Sequence, residues 1–475
     1  MPEFVQPGVL SKRKITYLQE QPCGKASFFR RMKTRNLLIA LTCIALFILA
    51  GVLYFRSWVV QKPFAIILIT GDGLNTSALA ATRIYEGGAD KNLALESMPH
   101  LGILKLTSNE FAVPDAAAAA SSLATGRRVN QNALSVDSEG KPIQTLLELA
   151  SKNGRRTGVI TNASVVDPSV AAFFAHQTDG QNRSGVAAIL PDLENVNLLL
   201  GGGEKYFLPV DKGGIRTDGQ DLILALRQKS WTVARTKAEL ADVPSLLTAR
   251  TLGVFSRSDL ANSRAISSGT EEPSLEEMVK AAISVLQFNT QGYLLVIDAG
   301  LIEKAARNND GETFLSETAA LDNAVAVARR YAGDNALIVV AGKQAPGGLR
   351  MNGYPFRQDQ GAAVLGVNAR GIPSLTWSTG PHALPSAATP KPTPRPNGDV
   401  LPPLLPQEPP LPQNTPEPSS VSLPAIAAVE PATIFAPESL NTVDDPLIFS
   451  YGVGTEKLTG YLDARDVFNL LRQQL

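Results

Sequence analysis

The chain is 475 residues long, with 44 Lys+Arg against 44 Asp+Glu and 44% hydrophobic residues. Balanced charge leaves no net field to attract nucleic acid, and the apolar content is enough to bury a large core, which excludes overall disorder. Two cysteines, Cys23 and Cys43, with no CxxC pair, exclude zinc fingers and a disulfide framework. Three histidines, His100, His176 and His382, limit any metal chemistry that draws on imidazole.

From the N-terminus, residues 37–55 read LLIALTCIALFILAGVLYF, 19 uncharged residues of which Thr42 is the strongly polar one. At about 1.5 Å rise per residue this stretch matches the roughly 30 Å hydrocarbon core of a bilayer. A cleaved signal peptide is the competing reading. The long preceding segment and the lack of a small-residue cleavage site after the stretch favour a transmembrane helix. Residues 1–36 carry Lys12, Arg13, Lys14, Lys25, Arg30, Arg31, Lys33 and Arg35 against Glu3 and Glu20. The positive-inside rule makes this a basic cytoplasmic tail and sends the rest across the membrane. The expectation is a single-pass membrane protein with its main domain periplasmic or on the cell surface.

The body begins at Pro63. The run Ile66, Ile67, Leu68, Ile69 leads into Thr70-Gly71-Asp72-Gly73, the pattern of a buried parallel strand entering a loop. Further strand-like runs fall at 157–161, 197–200, 292–297 and 336–341, and helical patterns at 116–125, 143–152, 275–287 and 317–331. This alternation predicts an α/β fold around a mostly parallel sheet. In such sheets chemistry gathers in the loops leaving the strand C-termini, where Asp72, Asp298 and the Gly342-Lys343 pair all fall. Between 385 and 437, 16 of 53 residues are proline, which reads as an extended insertion or linker, bounded at 385–440. Ordered patterning resumes at 446–451 and 464–474. The insertion therefore interrupts one domain, 63–384 and 441–475, rather than separating two.

Asp72, Asp167, Ser169 and Asp298 offer four oxygen donors, a hard set that suits Mg²⁺. His176 reads as a structural imidazole and His100 as a loop residue. The Gly201-Gly202-Gly203 run is a turn, because no Lys-Ser/Thr follows to make a phosphate cradle.

These pieces occur in an order that resembles the alkaline phosphatase family. The succession is IILITGDGLN, DAAAAASSLATGRRVNQNALSVDSEGKPIQTLLELASKNGRRTGVITNASVVDPSVAAFFAH, LLLGGGEKYFLP, YLLVIDAGLIEKAARNND, LIVVAG and WSTGPHA. The resemblance implies an alkaline phosphatase-like three-layer α/β/α sandwich and, in active members, a homodimer. It also implies phosphoric monoester hydrolysis by a serine, two zinc ions and a magnesium-type site.

Residue by residue the pattern is incomplete. The nucleophile position, after Asp115, is Ala116, and Ser121 and Ser122 lie too far along the helix to replace it. Ligands of one zinc fall on Glu303, Arg307 and His382, where the family carries Asp, His and His. Of the other zinc's ligands Asp72 remains, its Asp-His pair falling on Gly342-Lys343. The phosphate-holding arginine falls on Gly180, with Arg183 a displaced candidate. The magnesium-type position keeps Asp72, Asp167, Ser169 for Thr and Asp298 for Glu.

The resemblance thus implies metal ligands drawn from Asp72, Asp167, Ser169, Asp298, Glu303 and His382, and phosphate-binding candidates Arg183, Arg307 and Lys343. Mg²⁺ is the cation this set would hold, in preference to Zn²⁺. The expected function is a membrane-anchored pseudophosphatase. One alternative is a divergent phosphomonoester hydrolase that activates water at a single Mg-type site. Another is a non-catalytic anion-binding or structural envelope protein. A homodimer, the membrane and phosphate or a small anion are the expected partners, with no nucleic acid.

Overall fold

The structure, a computed structural model, describes residues 25–54, 62–244, 250–352, 365, 373–383 and 430–475. The chain divides into two compact units, Met1–Lys62 and Pro63–Leu475. The first contains the 30-residue helix α1 (Lys25–Tyr54). Its described side chains, residues 36–52, are all exposed, including Leu37, Leu46 and Phe47. Among the described residues no helix is long and apolar enough to cross a membrane.

The second unit runs β1 (Ala65–Gly71), α2 (Thr76–Gly87), β2 (His100–Lys105), α3 (Ala116–Thr125), α4 (Leu146–Lys152), β3 (Arg156–Ser164), α5 (Pro168–Ala171), α6 (Arg183–Ile189), β4 (Leu198–Gly202) and α7 (Leu222–Gln228). It continues through β5 (Thr232–Ala234), α8 (Lys237–Ala241), β6 (Thr251–Val254), α9 (Ser263–Ser267), α10 (Leu275–Leu286), β7 (Tyr293–Ala299), α11 (Leu301–Arg307), α12 (Gly311–Ala332) and β8 (Ala336–Gly342). It ends with β9 (Ala345–Pro346), β10 (Arg350–Met351), β11 (Leu375–Gly380), β12 (Ala432–Phe435), β13 (Asn441–Thr442), β14 (Leu447–Tyr451), β15 (Gly460–Asp463) and α13 (Ala464–Gln474).

Ten strands form one sheet in the order β15-β2-β14-β8-β1-β7-β3-β4-β6-β5. Within it β14 runs antiparallel to β8 and β2, and the other neighbours are parallel. A strand covered on both faces reads as a continuous apolar run, and β1 is buried at all seven positions. Its side chains alternate between two cores. Ala65, Ile67 and Ile69 pack with residues of α2, α10, α11 and α12, whereas Ile66 and Leu68 pack with residues of α3, α4, α5 and α13. That is the three-layer α/β/α arrangement.

Two helices start where a cap, rather than apolar periodicity, fixes them. α4 begins at Leu146, three residues after the predicted start, because Thr145 and Glu148 close a capping box. α12 begins at Gly311, earlier than predicted, behind an Asp310 N-cap. His100 opens β2 opposite Ser450 and is not in a loop. Most of the proline-rich insertion, residues 385–429, lies outside the described residues. Its predicted last part belongs to the fold: β12 pairs in parallel with β11, Trp377 opposite Ala432. Pro431 and Pro437 flank that strand, so a proline count absorbs it although 432–436 is proline-free and can pair.

The register of the central strands positions the chemistry. Gly71 sits opposite both Ala299 and Gly342, and Thr70 opposite Asp298. The C-terminal ends of β8, β1 and β7 therefore lie side by side. Gly73 turns the chain away from β1 with φ of 69°, and a Cβ there would meet the Phe314 ring at 2.9 Å.

Candidate active site

One wall of the site is the N-terminus of α3. Asp115 is its N-cap, Oδ1 accepting from Ala118 N at 2.8 Å, while Oδ2 accepts from Asn132 N at 2.7 Å. Ala116, the first helical residue, lines an open cleft of about 660 Å³ together with Asp167, Arg183, Glu303, Lys304 and Arg307. A methyl group is all that Ala116 presents. Ser121 is buried one turn and more along α3 and is held elsewhere: its Oγ donates to Ala133 O and accepts from Ser135 N, both at 2.9 Å. Ser122 is buried without a hydrogen-bond partner for its hydroxyl.

A separate, fully buried cluster sits at the three adjacent strand ends and does not line the cleft. Asp72, Asp298 and Lys343 are each 0% exposed. Lys343 Nζ donates to Asp298 Oδ1 and lies 3.3 Å from Asp72 Oδ2. Thr70 Oγ1 donates to the same Asp298 oxygen at 2.8 Å, and Thr161 Oγ1 donates to Oδ2 at 3.4 Å. Apart from the Lys343 ammonium 3.3 Å away, neither oxygen of Asp72 has a hydrogen-bond partner. Burial pushes the Asp72 carboxyl up to about 7, against the opposing pull of Lys343. Burial works against the Lys343 charge as well, but Asp298 and Asp72 more than offset it and hold the ammonium above the ordinary lysine value.

The remaining predicted residues are tied into pairs. Asp167 caps α5, Oδ1 accepting from Ser169 N at 3.1 Å; Oδ2 meets Lys304 Nζ at 3.0 Å and Arg183 Nη2 at 3.1 Å. Burial would raise the Asp167 carboxyl, yet Lys304 and Arg183 hold it below the usual carboxylate range. The buried Ser169 hydroxyl has no hydrogen-bond partner. Glu303 Oε1 accepts from Arg307 Nε at 3.0 Å, Arg307 Nη2 at 2.8 Å and Gln344 Nε2 at 3.0 Å. Arg307 also donates to Ser439 O at 2.9 Å. His382 is exposed in the turn after β11. His176 is structural: both ring nitrogens face acceptors, Ser135 O at 2.8 Å and Glu148 Oε1 at 3.0 Å. Burial opposes its charge, but these two acceptors raise it above the ordinary histidine value.

Three contributors escape a reading of the sequence. Lys304 and Gln344 adjoin recognised positions but carry no motif of their own. Asn441 reaches the site across the proline-rich insertion and donates to Gln344 Oε1 at 2.6 Å.

This donor set does not fit a metal. A cation shared by Asp72 and Asp298 would have to displace Lys343 Nζ, and one on Asp167 would compete with Lys304 and Arg183. Among the described residues, no group of three or more His, Cys, Asp or Glu side chains gathers to hold a metal ion.

Comparison with known proteins gives one family. A sequence profile described as alkaline phosphatase matches residues 64–370. Alkaline phosphatase 4 of Bacillus subtilis (strain 168) is 26% identical over 355 residues, covering 68% of this chain and 72% of its own. The membrane-bound alkaline phosphatase of Bombyx mori is 28% identical over 369 residues, covering 67% of each. The tissue-nonspecific isozyme of Gallus gallus is 25% identical over 312 residues, covering 56% of this chain and 60% of its own. Of solved structures, the alkaline phosphatase of the Antarctic bacterium TAB5 superposes with a TM-score of 0.65 at 17% identity, covering 87% of this chain and 98% of that one. The Thermus thermophilus alkaline phosphatase gives 0.66 at 20% identity, covering 88% and 92%.

Proposed function

This chain belongs to the alkaline phosphatase family, and we propose that it keeps the family's fold as a catalytically silent, membrane-anchored protein. The observation that carries this reading is Ala116. At the helix start where the resemblance implies a serine, a methyl group faces the cleft, and a methyl cannot attack phosphorus or carry a phosphoryl group.

The charges around the cleft support the same reading. Stabilising a transferred phosphoryl group calls for cations aimed at the charge that develops. Here Arg183 and Lys304 are held by Asp167 and Arg307 by Glu303, while Lys343 is buried away from the cleft against Asp298 and Asp72. An arriving anion would have to compete with a carboxylate for every one of them. No step is assigned to a metal, because its ligands are engaged by these cations. A homodimer belongs to the same proposal on the strength of the family alone.

With millimolar p-nitrophenyl phosphate, Zn²⁺ and Mg²⁺, the purified full chain is expected to release nitrophenol no faster than buffer. Ala116→Ser alone should change nothing, since it restores a hydroxyl without freeing a cation. Turnover by the wild type that disappears in Asp72→Ala would overturn this reading.

The anchor is assigned to residues 37–55, supported by their 19 uncharged, largely apolar residues and by the exposed apolar side chains of α1. Alkaline carbonate washing of membranes tests it: the full chain should stay in the pellet, and release into the wash would remove the assignment.

A further inference from the structure

We propose that the notch between the end of α3 and the start of α13 is an anion site that takes one phosphate group, carried either by free phosphate or by the head of an anionic lipid. It shares no lining residue with the cleft at Ala116, so it stands independently of the silent-site reading.

The fold brings three chain ends together here. β2 and β15 are parallel neighbours that finish in register, Lys105 opposite Asp463. α13 starts directly after β15, behind its Asp463 N-cap. α3 stops at Gly126, whose φ of 68° turns the chain into Arg127 and Arg128. A Cβ on Gly126 would meet the Phe468 ring of α13 at 2.6 Å, so the two helices close tightly at this point. Lys105, Arg127, Arg128 and Arg465 therefore line one notch with Ser122 and Asp463.

Four cations face one acid. None of the four is in a salt bridge, and Lys105 has only the Tyr461 ring, 5.7 Å from its Nζ. Asp463 is turned onto its own helix, Oδ1 accepting from Arg465 N at 2.8 Å and Asp466 N at 3.2 Å. The C-terminus of α3 adds about half a negative charge and the N-terminus of α13 about half a positive one, so the helix ends cancel. An excess of about three positive charges is left.

Solvation of surface side chains would account for the cations alone. It does not account for Ser122, which lies at the floor of the notch, 2% exposed, with no hydrogen-bond partner for its hydroxyl. A serine or threonine inside a helix can return its proton to the carbonyl one turn back, as Thr125 does to Ser121 O at 2.7 Å. Ser122 makes no such bond. A buried hydroxyl without an acceptor is costly, and an anion oxygen held by these cations would accept from it. The notch holds about 30 Å³, which admits the inner oxygens of one tetrahedral anion and no organic ring. Guanidinium forks match the paired oxygens of a phosphate group.

Calorimetry on the full chain, purified in nonionic detergent and phosphate-free buffer, tests this with two probes: inorganic phosphate, and dihexanoyl phosphatidylglycerol below its micellar concentration. Wild type should bind one equivalent of at least one probe, more weakly in about 0.5 M NaCl. Tighter binding of phosphate assigns the site to the free anion, and tighter binding of the lipid assigns it to a headgroup; either supports the proposal. Arg127→Gln combined with Arg128→Gln should weaken binding at least about tenfold. Ser122→Ala should weaken it about threefold or more, while its melting temperature without ligand stays unchanged or rises, because no native bond is lost. The proposal is overturned if neither probe binds, or if the double arginine variant binds as wild type does. It is also overturned if Ser122→Ala leaves affinity unchanged, which would mean adventitious attraction to surface charge only, or lowers the unliganded melting temperature, which would mean that the hydroxyl is already satisfied. Loss of binding in Arg183→Gln would place the anion in the cleft and equally overturn it.

Discussion

Replacing Lys343 with methionine is expected to lower the unfolding free energy by about 3–5 kcal/mol, the usual cost of removing one partner from a buried ion pair. Methionine nearly matches the lysine in length and fills the same space, so little of the loss comes from a cavity. What is lost is charge. Asp298 keeps the Thr70 and Thr161 hydroxyls, but Asp72, 0% exposed, loses the ammonium 3.3 Å away and has no hydrogen bond to fall back on. Adding Asp298→Asn should restore part of the stability, because an amide oxygen still accepts from Thr70 and the carboxylate that lost its ammonium partner is gone. Urea denaturation of wild type, Lys343→Met and the double variant at neutral pH measures all three. A methionine variant as stable as wild type would show that the ammonium contributes nothing net to the fold, and a double variant less stable than the single would show that Asp298 does not carry the penalty.

The central sheet was legible in the sequence because its strands are covered on both faces, and double burial leaves an unbroken apolar run such as Ile66 to Ile69. The positions of Asp72, Asp298 and Lys343 followed from the same logic, since each stands at the end of such a run. Their relationship did not follow. Nothing in the string of residues says that Lys343 would reach both acids; that depends on Gly71 standing in register with Ala299 and Gly342 at once. Charge pairing across the cleft was hidden for the same reason: Asp167 finds Lys304 and Arg183 from two different helices. Arg183, read as a displaced phosphate ligand, is engaged by Asp167. The edge of the fold was least legible. β12 is four residues long and sits between two prolines, so composition outweighed its pairing, and the cap residues Thr145 and Asp310 set helix starts that apolar periodicity misplaced.

A second large effect is expected at Glu430, the first described residue in the last part of the proline-rich insertion. Its side chain is 6% exposed, and Oε2 accepts from Gly311 N, the first residue of α12, at 2.6 Å. Burial pushes the carboxyl up from 4.5 to about 7, only partly opposed by that hydrogen bond. A carboxyl with a folded value above its unfolded one binds its proton more tightly in the native state. Its contribution is therefore fully present below about 4.5 and is lost as pH rises through about 7. Each tenfold gain in proton affinity is worth about 1.4 kcal/mol, which makes the whole contribution about 3 kcal/mol. Glu430→Gln keeps an oxygen for Gly311 N and removes the charge. At pH 8 the variant should be more stable than wild type by about 2–3 kcal/mol, and near pH 5 the difference should shrink to well under half of that. Glu317, Asp322 and Glu276 are shifted in the same direction by burial, so the pH profile of either protein alone mixes several groups. The difference between the two profiles isolates Glu430, because the other acids are common to both. Urea melts of each protein at the two pH values give that difference directly. If it were unchanged between pH 5 and 8, Glu430 would be charged at both, and the end of the insertion would be held against α12 by an ionised carboxylate at the helix N-terminus rather than by a protonated one.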